Sequence, residues 1–151
     1  MLPSDIVSDD DGGQTATWAA SHRQSLSSNK DTGEGWPGCR DIDHKSDNVR
    51  NNYNAYLKFL LEDLGYAGFR YDMVKGFAPE YVAQYNQTVQ PQFSVGEYWD
   101  NSTATKLWVN GTKVNNVPQS AAFDFPFRYT VRDAANSGDW SKLENASNAP
   151  L

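Results

Sequence analysis

With 151 residues, 38% of them hydrophobic, the chain is long enough for one ordinary domain. A net charge of −6 with no Lys/Arg cluster argues against nucleic acid and anionic membranes as partners, and no run approaches the roughly 20 apolar residues of a membrane span. The single cysteine, Cys39, excludes an internal disulfide.

Residues 1–45 carry little hydrophobic periodicity and many Asp, Ser, Gly and Thr residues, so they read as one long irregular region. Met1-Leu2-Pro3 has no basic segment or apolar core, and no signal peptide is expected. The run Asp9-Asp10-Asp11-Gly12-Gly13 has the flavour of a calcium loop, but Ala20 stands where an EF-hand needs glutamate. A solvated acidic turn is the expectation. From Asp47 to Leu64, Val49, Tyr53, Tyr56, Leu57, Leu60 and Leu64 recur at helical spacing, with Ser46 as N-cap and Gly65 as stop. Ala67–Asp72 is a short apolar run that reads as a strand. Phe77–Gln90 follows as a helix, with Pro79 in its first turn and Pro91 beyond its end. Phe93–Glu97 reads as a second strand, Thr103–Val109 as a helix stopped by Asn110-Gly111, Val117–Phe125 as a third strand, and Phe127–Ala135 as a helix. Alternation of this kind predicts an α/β fold.

Two carboxylates, Asp72 and Glu97, fall at the C-terminal ends of the first two strands. The roughly twenty residues between the strands permit a parallel crossover. Neighbouring strands lie about 4.8 Å apart. A retaining glycoside hydrolase needs two carboxyl groups about 5–5.5 Å apart, one to attack the anomeric carbon and one to shuttle a proton. Acids that merely cap or salt-bridge strand ends would have the same spacing, which leaves both readings open. Arg70 lies two residues before Asp72 and so shares its face of the strand, where a fixed cation can keep Asp72 ionised and oriented. A plain structural ion pair is the alternative. Tyr98 and Trp99 directly follow Glu97, and aromatic planes beside acids suit the apolar faces of sugar rings. His22 and His44 offer no metal-ligand spacing, and no phosphate loop or serine-nucleophile elbow is visible.

Gly68-Phe69-Arg70-Tyr71-Asp72-Met73-Val74-Lys75-Gly76 and Gly96-Glu97-Tyr98-Trp99-Asp100 resemble two signature segments of the α-amylase family of glycoside hydrolases. Arg40-Asp41-Ile42-Asp43-His44 resembles the short acidic motif that precedes them, in the same order and at similar spacing. A looser likeness runs from Asp31 to Asp133, through Ala121-Ala122-Phe123-Asp124-Phe125-Pro126. The resemblance implies a fragment of a (β/α)8 TIM barrel. Residues 1–45 would be the irregular excursion between its third strand and third helix, and 46–151 about three strand-helix units. A closed barrel needs eight units and about 250 residues. The first family segment is expected before Met1, and the last, with a third catalytic acid, after Leu151. An open sheet of this size would expose edges through which copies of the chain could self-associate.

By resemblance, Asp72 is the nucleophile and Glu97 the general acid and base, which must start protonated. Lys75 corresponds to a sugar-contacting lysine on the leaving-group side, a solvated lysine being the alternative. Asp41, the backbone carbonyl of Gly76, and Asp31 correspond to ligands of a structural calcium ion; a further ligand would come from outside the chain, so the site is incomplete. Calcium takes six to eight oxygens. The implied activity is retaining endo-hydrolysis of α-1,4-glucosidic bonds in starch-like glucans by the intact protein, with little or no activity of this piece alone. The implied ligand is an α-glucan polysaccharide or oligosaccharide, and the implied location is secreted or periplasmic. A transglycosylase of the same family and a non-catalytic carbohydrate-binding remnant stay open. Asn86, Asn101, Asn110 and Asn145 each begin an Asn-x-Ser/Thr triplet, a pattern that chance also produces in an Asn-rich chain.

Overall fold

A computed structural model describes residues 1–144, so the Asn145 triplet and the end of the 46–151 region lie outside the described residues. Residues 1–45 are not irregular throughout. After short 3-10 turns at Pro3–Asp5 and Asp11–Gly13 they form a two-turn helix, α1 (Gln14–Ser21). Its cause is local: the Asp11 carboxylate accepts from the backbone N–H of Thr15 at 3.1 Å and from the Thr15 hydroxyl. Nor is the acidic run a solvated turn. Asp10 and Asp11 are buried, Asp10 accepts from the Trp36 N–H at 2.9 Å, and Asp9 accepts from the Asp31 N–H at 3.0 Å. Hydrogen-bond donors stabilise the ionised form, and they hold Asp9 and Asp11 below the usual carboxylate range. Asp5, also buried, accepts from Asn48 and Ser46 and so ties the N-terminus to the start of the next helix.

That helix, α2 (Asp47–Lys58), starts where expected, with the Ser46 hydroxyl accepting from the Val49 N–H. It does not run straight to Leu64. At Phe59–Asp63 the chain widens into a π turn, and Gly65, at φ 73°, reverses it in the left-handed region that glycine enters without strain. Strand β1 (Gly68–Tyr71) leads through a 3-10 turn at Val74–Gly76 to α3 (Pro79–Val89), whose first residue is proline and whose end is marked by Gln90 at φ 53°. Strand β2 (Phe93–Gly96) follows. Helix α4 (Ser102–Gly111) is capped by the Asn101 side chain accepting from the Ala104 N–H at 3.1 Å.

The expected strand over Val117–Phe125 is broken into two short strands that belong to different sheets. Strands β3 (Lys113–Val114) and β4 (Val117–Pro118) form a tight antiparallel hairpin across Asn115 and Asn116, both at positive φ. Only β5 (Ala121–Ala122) joins the main sheet. Helix α5 (Phe125–Ser137) then begins two residues earlier than Phe127. Asp124 accepts from the Phe127 N–H at 2.9 Å and so caps it.

The fold is mixed helix and strand around a small parallel sheet of order β1-β2-β5. Helix α3 packs beside α2 and α4 and buries residues on more than one side. Tyr81 and Tyr85 join Leu57 and Phe69 in one core cluster, while Val82 joins Val74, Trp108 and Ala122 in another. Fully burying an apolar side chain of this size is worth about 1.5–3 kcal/mol. Among the described residues, no helix is long and apolar enough to cross a membrane.

Candidate functional site

Strand register brings the two acids together. Tyr71 pairs with Gly96 in the β1-β2 ladder, and the pairing continues one step as the Glu97 N–H donates to the Tyr71 carbonyl at 2.9 Å. Asp72 and Glu97 therefore leave adjacent strands at the same level. A single guanidinium nitrogen, Arg70 Nη2, lies 2.8 Å from Asp72 Oδ1 and 2.8 Å from Glu97 Oε2. Those oxygens cannot be farther apart than twice that distance. The Asp72 side chain is 64% exposed and that of Glu97 20%, so the two acids differ sharply in their access to water. A hydrogen bond from the Glu97 carboxyl, opposed by slight burial and reinforced by the Arg70 cation, holds Asp72 below the ordinary carboxylate range. A carboxylate held ionised is what a nucleophile requires.

Close packing behind the acid leaves no room for a larger residue at Gly96. A Cβ there would sit 2.3 Å from the indole of Trp108, whose ring is buried and stacks on Tyr98 with centroids 5.9 Å apart. Of the two aromatics after Glu97, Tyr98 thus has one face turned into the core. Trp99 is 53% exposed, meets Phe125 edge to face at 4.8 Å, and lies 5.8 Å from the Arg128 guanidinium.

Lys75 pairs with acids other than Asp72 and Glu97. Its ammonium is 2.9 Å from Asp100 and 3.2 Å from Glu34, and lies 5.3 Å from the Tyr98 ring. These partners, Asp100 first, raise its pKa, and they tie the loop after β2 to the loop before Trp36. A cavity of about 550 Å³ lies alongside, lined by Arg70, Asp72, Lys75, Asp41 and by the apolar faces of Tyr53 and Phe69, among others.

The residues of the implied calcium site also converge. Burial, followed by the neighbouring Asp31 carboxylate and more weakly by Asp10, pushes Asp41 up to about 8. The loop carrying Asp31 presses on the backbone at Gly76: the Glu34 N–H donates to the Lys75 carbonyl at 2.8 Å and the Ala78 N–H to the Thr32 hydroxyl at 3.1 Å. A Cβ on Gly33 would sit 2.3 Å from the Gly76 carbonyl carbon, so only glycine permits this approach. All the donors are oxygens, the kind a hard cation takes. Among the described residues, no group of three or more His, Cys, Asp or Glu side chains is placed to hold a metal. The set therefore fits calcium in kind and falls short in number.

Three features of the site escaped the sequence reading. Glu34, a partner of Lys75, carries no signal beyond its charge, and the pairing of Asp100 with Lys75 is not visible in its motif. His44 is 4% exposed, with Nδ1 2.8 Å from the Tyr85 hydroxyl and its ring stacked on Phe77 at 4.3 Å. Phe123 follows β5 at the level of Glu97 and lies over Arg70. A strand end placed at Ala122 rather than Phe125 would have revealed it.

No family model matches the chain. It is 40% identical to alpha-amylase 3, chloroplastic, of Arabidopsis thaliana over 81% of its length, and 29% identical to probable alpha-amylase 2 of the same plant, again over 81%. It spans 15% and 32% of the lengths of those two relatives. A beta/alpha-amylase of Paenibacillus polymyxa is 28% identical over 64% of the chain, which spans 7% of it. Among solved structures, an alpha-amylase from Malbranchea cinnamomea superposes with a TM-score of 0.59 and 19% identity, covering 73% of the chain and 22% of the amylase. The chain is thus similar in sequence to part of several amylases and in fold to part of one.

Proposed function

We propose that this chain is the segment of an α-amylase-type glycoside hydrolase that carries the nucleophile and the acid/base, within a partial (β/α) barrel. The observation that carries the reading is the pair Asp72 and Glu97 at matching ends of adjacent parallel strands, both bound by one nitrogen of Arg70. In the first step an Asp72 oxygen attacks the anomeric carbon of an α-linked glucosyl unit, while Glu97 gives its proton to the departing glycosidic oxygen. A covalent glycosyl ester on Asp72 results. In the second step Glu97, now a carboxylate, takes a proton from water. The hydroxide formed attacks the same carbon, releases Asp72, and leaves a product of retained configuration. Arg70 keeps Asp72 anionic between turnovers. Exposed Trp99 offers a sugar-stacking plane beside the acid.

Asp31, Asp41 and the Gly76 carbonyl would hold calcium, completed by oxygens from elsewhere. The ion would supply stiffness to the loop beside Asp72 and would take no part in bond making. Substrates would be starch-like α-1,4-glucans. The compartment follows the parent protein: secreted or periplasmic is our expectation, while one relative is by name chloroplastic.

High exposure of Asp72 and a sheet of only three parallel strands favour a second reading, in which the isolated chain binds glucan without turnover. Starch and maltoheptaose incubated with the purified chain, beside Asp72→Asn and Glu97→Gln, separate these readings. Hydrolysis lost in both variants supports the catalytic pair. Maltoheptaose-induced NMR shifts at Asp72 and Glu97 without products support the binding segment. Hydrolysis that survives both substitutions, or no response to sugar at either residue, would overturn the proposal.

A further inference from the structure

Arg70 pairs with both acids, yet its side chain is 50% exposed, so burial does not fix it. A long cation bridging two carboxylates through one nitrogen loses rotamer freedom, and solvent competes for its remaining donors. What faces the guanidinium from the third strand is Phe123, with Arg70 Cζ 5.8 Å from the ring centroid. The ring is itself held. Its backbone N–H donates to the Gly96 carbonyl at 3.0 Å, one residue before Glu97. The ring meets Phe125 edge to face at 6.2 Å, and Phe125 is buried and in turn meets Trp99.

We propose that Phe123 is a positioning residue: its aromatic face holds the Arg70 guanidinium in the orientation that bridges Asp72 and Glu97. The inference deepens the reading of Asp72 and Glu97 as the reacting pair and rests on it for its catalytic meaning. Phe123 acts through Arg70, and because β5 carries it at the level of Glu97, it links the third strand to a site otherwise built from two. An exposed cation–π contact is worth roughly a two- to fivefold change in the population of the held geometry.

The test needs no substrate. In the ¹⁵N-labelled chain, rotation of the Arg70 guanidinium is measured by NMR in the parent and in Phe123→Ala, Phe123→Leu and Phe123→Tyr. Each substitution keeps the backbone bond to Gly96. Faster rotation by roughly two- to fivefold in both Ala and Leu, with the parental rate restored in Tyr, is the expected result. The Asp72 carboxyl, which faces Arg70 and Glu97, should titrate at higher pH in the same two variants. Leucine behaving like phenylalanine would mean that packing alone suffices, and would overturn the proposal. So would a parental rate in Phe123→Ala, or a tyrosine variant that fails to restore it. Maltoheptaose binding is scored separately, so failure of the amylase reading shows as absent sugar shifts with the guanidinium result intact.

Discussion

Acidification should expose the cost of burying His44. The imidazole is 4% exposed, faces Phe77, Tyr81 and Tyr53 on its flat sides and edges, and meets the Tyr85 hydroxyl at Nδ1. Desolvation, opposed in part by the Asp43 and Asp31 charges, pushes its pKa down from 6.5 to about 4. Above pH 6.5 both folded and unfolded chains hold it neutral, and it adds no pH dependence. Between pH 6.5 and 4 the unfolded chain takes up a proton that the folded chain refuses, so stability falls. Below pH 4 both states are protonated and the loss is complete. A depression from 6.5 to about 4 corresponds to about 3 kcal/mol, or roughly 1–3 M in a urea midpoint. Asp41 works against this trend. Its carboxyl is raised to about 8, so it contributes stability that is full below pH 3.8 and lost as pH rises toward 8. One stability curve would therefore mix two opposing slopes. The difference between the parent and His44→Phe isolates the first, since phenylalanine keeps the stack on Phe77 and removes the titration. Urea unfolding of both chains from pH 7.5 to 4 should give a difference that moves by about 3 kcal/mol against the parent as pH falls. A constant offset across that range would refute the reasoning.

Removing the cation between the acids, as in Arg70→Met, should raise the Asp72 titration midpoint, read from its carboxyl ¹³C shift; an unmoved midpoint would deny Arg70 its orienting role. Gly96→Ala places a methyl against the Trp108 indole and should cost about 1–3 kcal/mol, measured as a lower urea midpoint with altered tryptophan fluorescence. Calcium at a hundred times its dissociation constant should stabilise the chain by about 2.7 kcal/mol, seen as a higher melting temperature. Asp41→Ala should abolish that response, and an unresponsive parent would remove the metal from the proposal.

Much of the strand-helix alternation was legible because its signals are local. Ser46 and Pro79 mark helix starts by capping and by fixed φ, and the spacing of Val49, Tyr53 and Leu57 marks a buried face. Where a signal was weak or depended on a distant partner, the reading failed. Helix α1 leans on the Asp11–Thr15 hydrogen bonds, and the acidic run became buried because Trp36 and Asp31 donate to it from far along the chain. Two-residue strands such as β3, β4 and β5 carry no period to detect, which is why Val117–Phe125 reads as one strand in the sequence.

For the candidate site the division is similar. Sequence alone determined that Asp72 and Glu97 end two short strands, that Arg70 shares a face with Asp72, and that three segments are worded like those of amylases, because side-chain alternation and motif order are properties of the chain. Tertiary structure decided that one Arg70 nitrogen serves both acids, that Lys75 is held by Glu34 and Asp100, that Asp31 crowds Asp41, and that Phe123 covers the guanidinium. Each of those contacts depends on strand register and loop approach, which set distances of a few ångströms between residues that no local pattern relates.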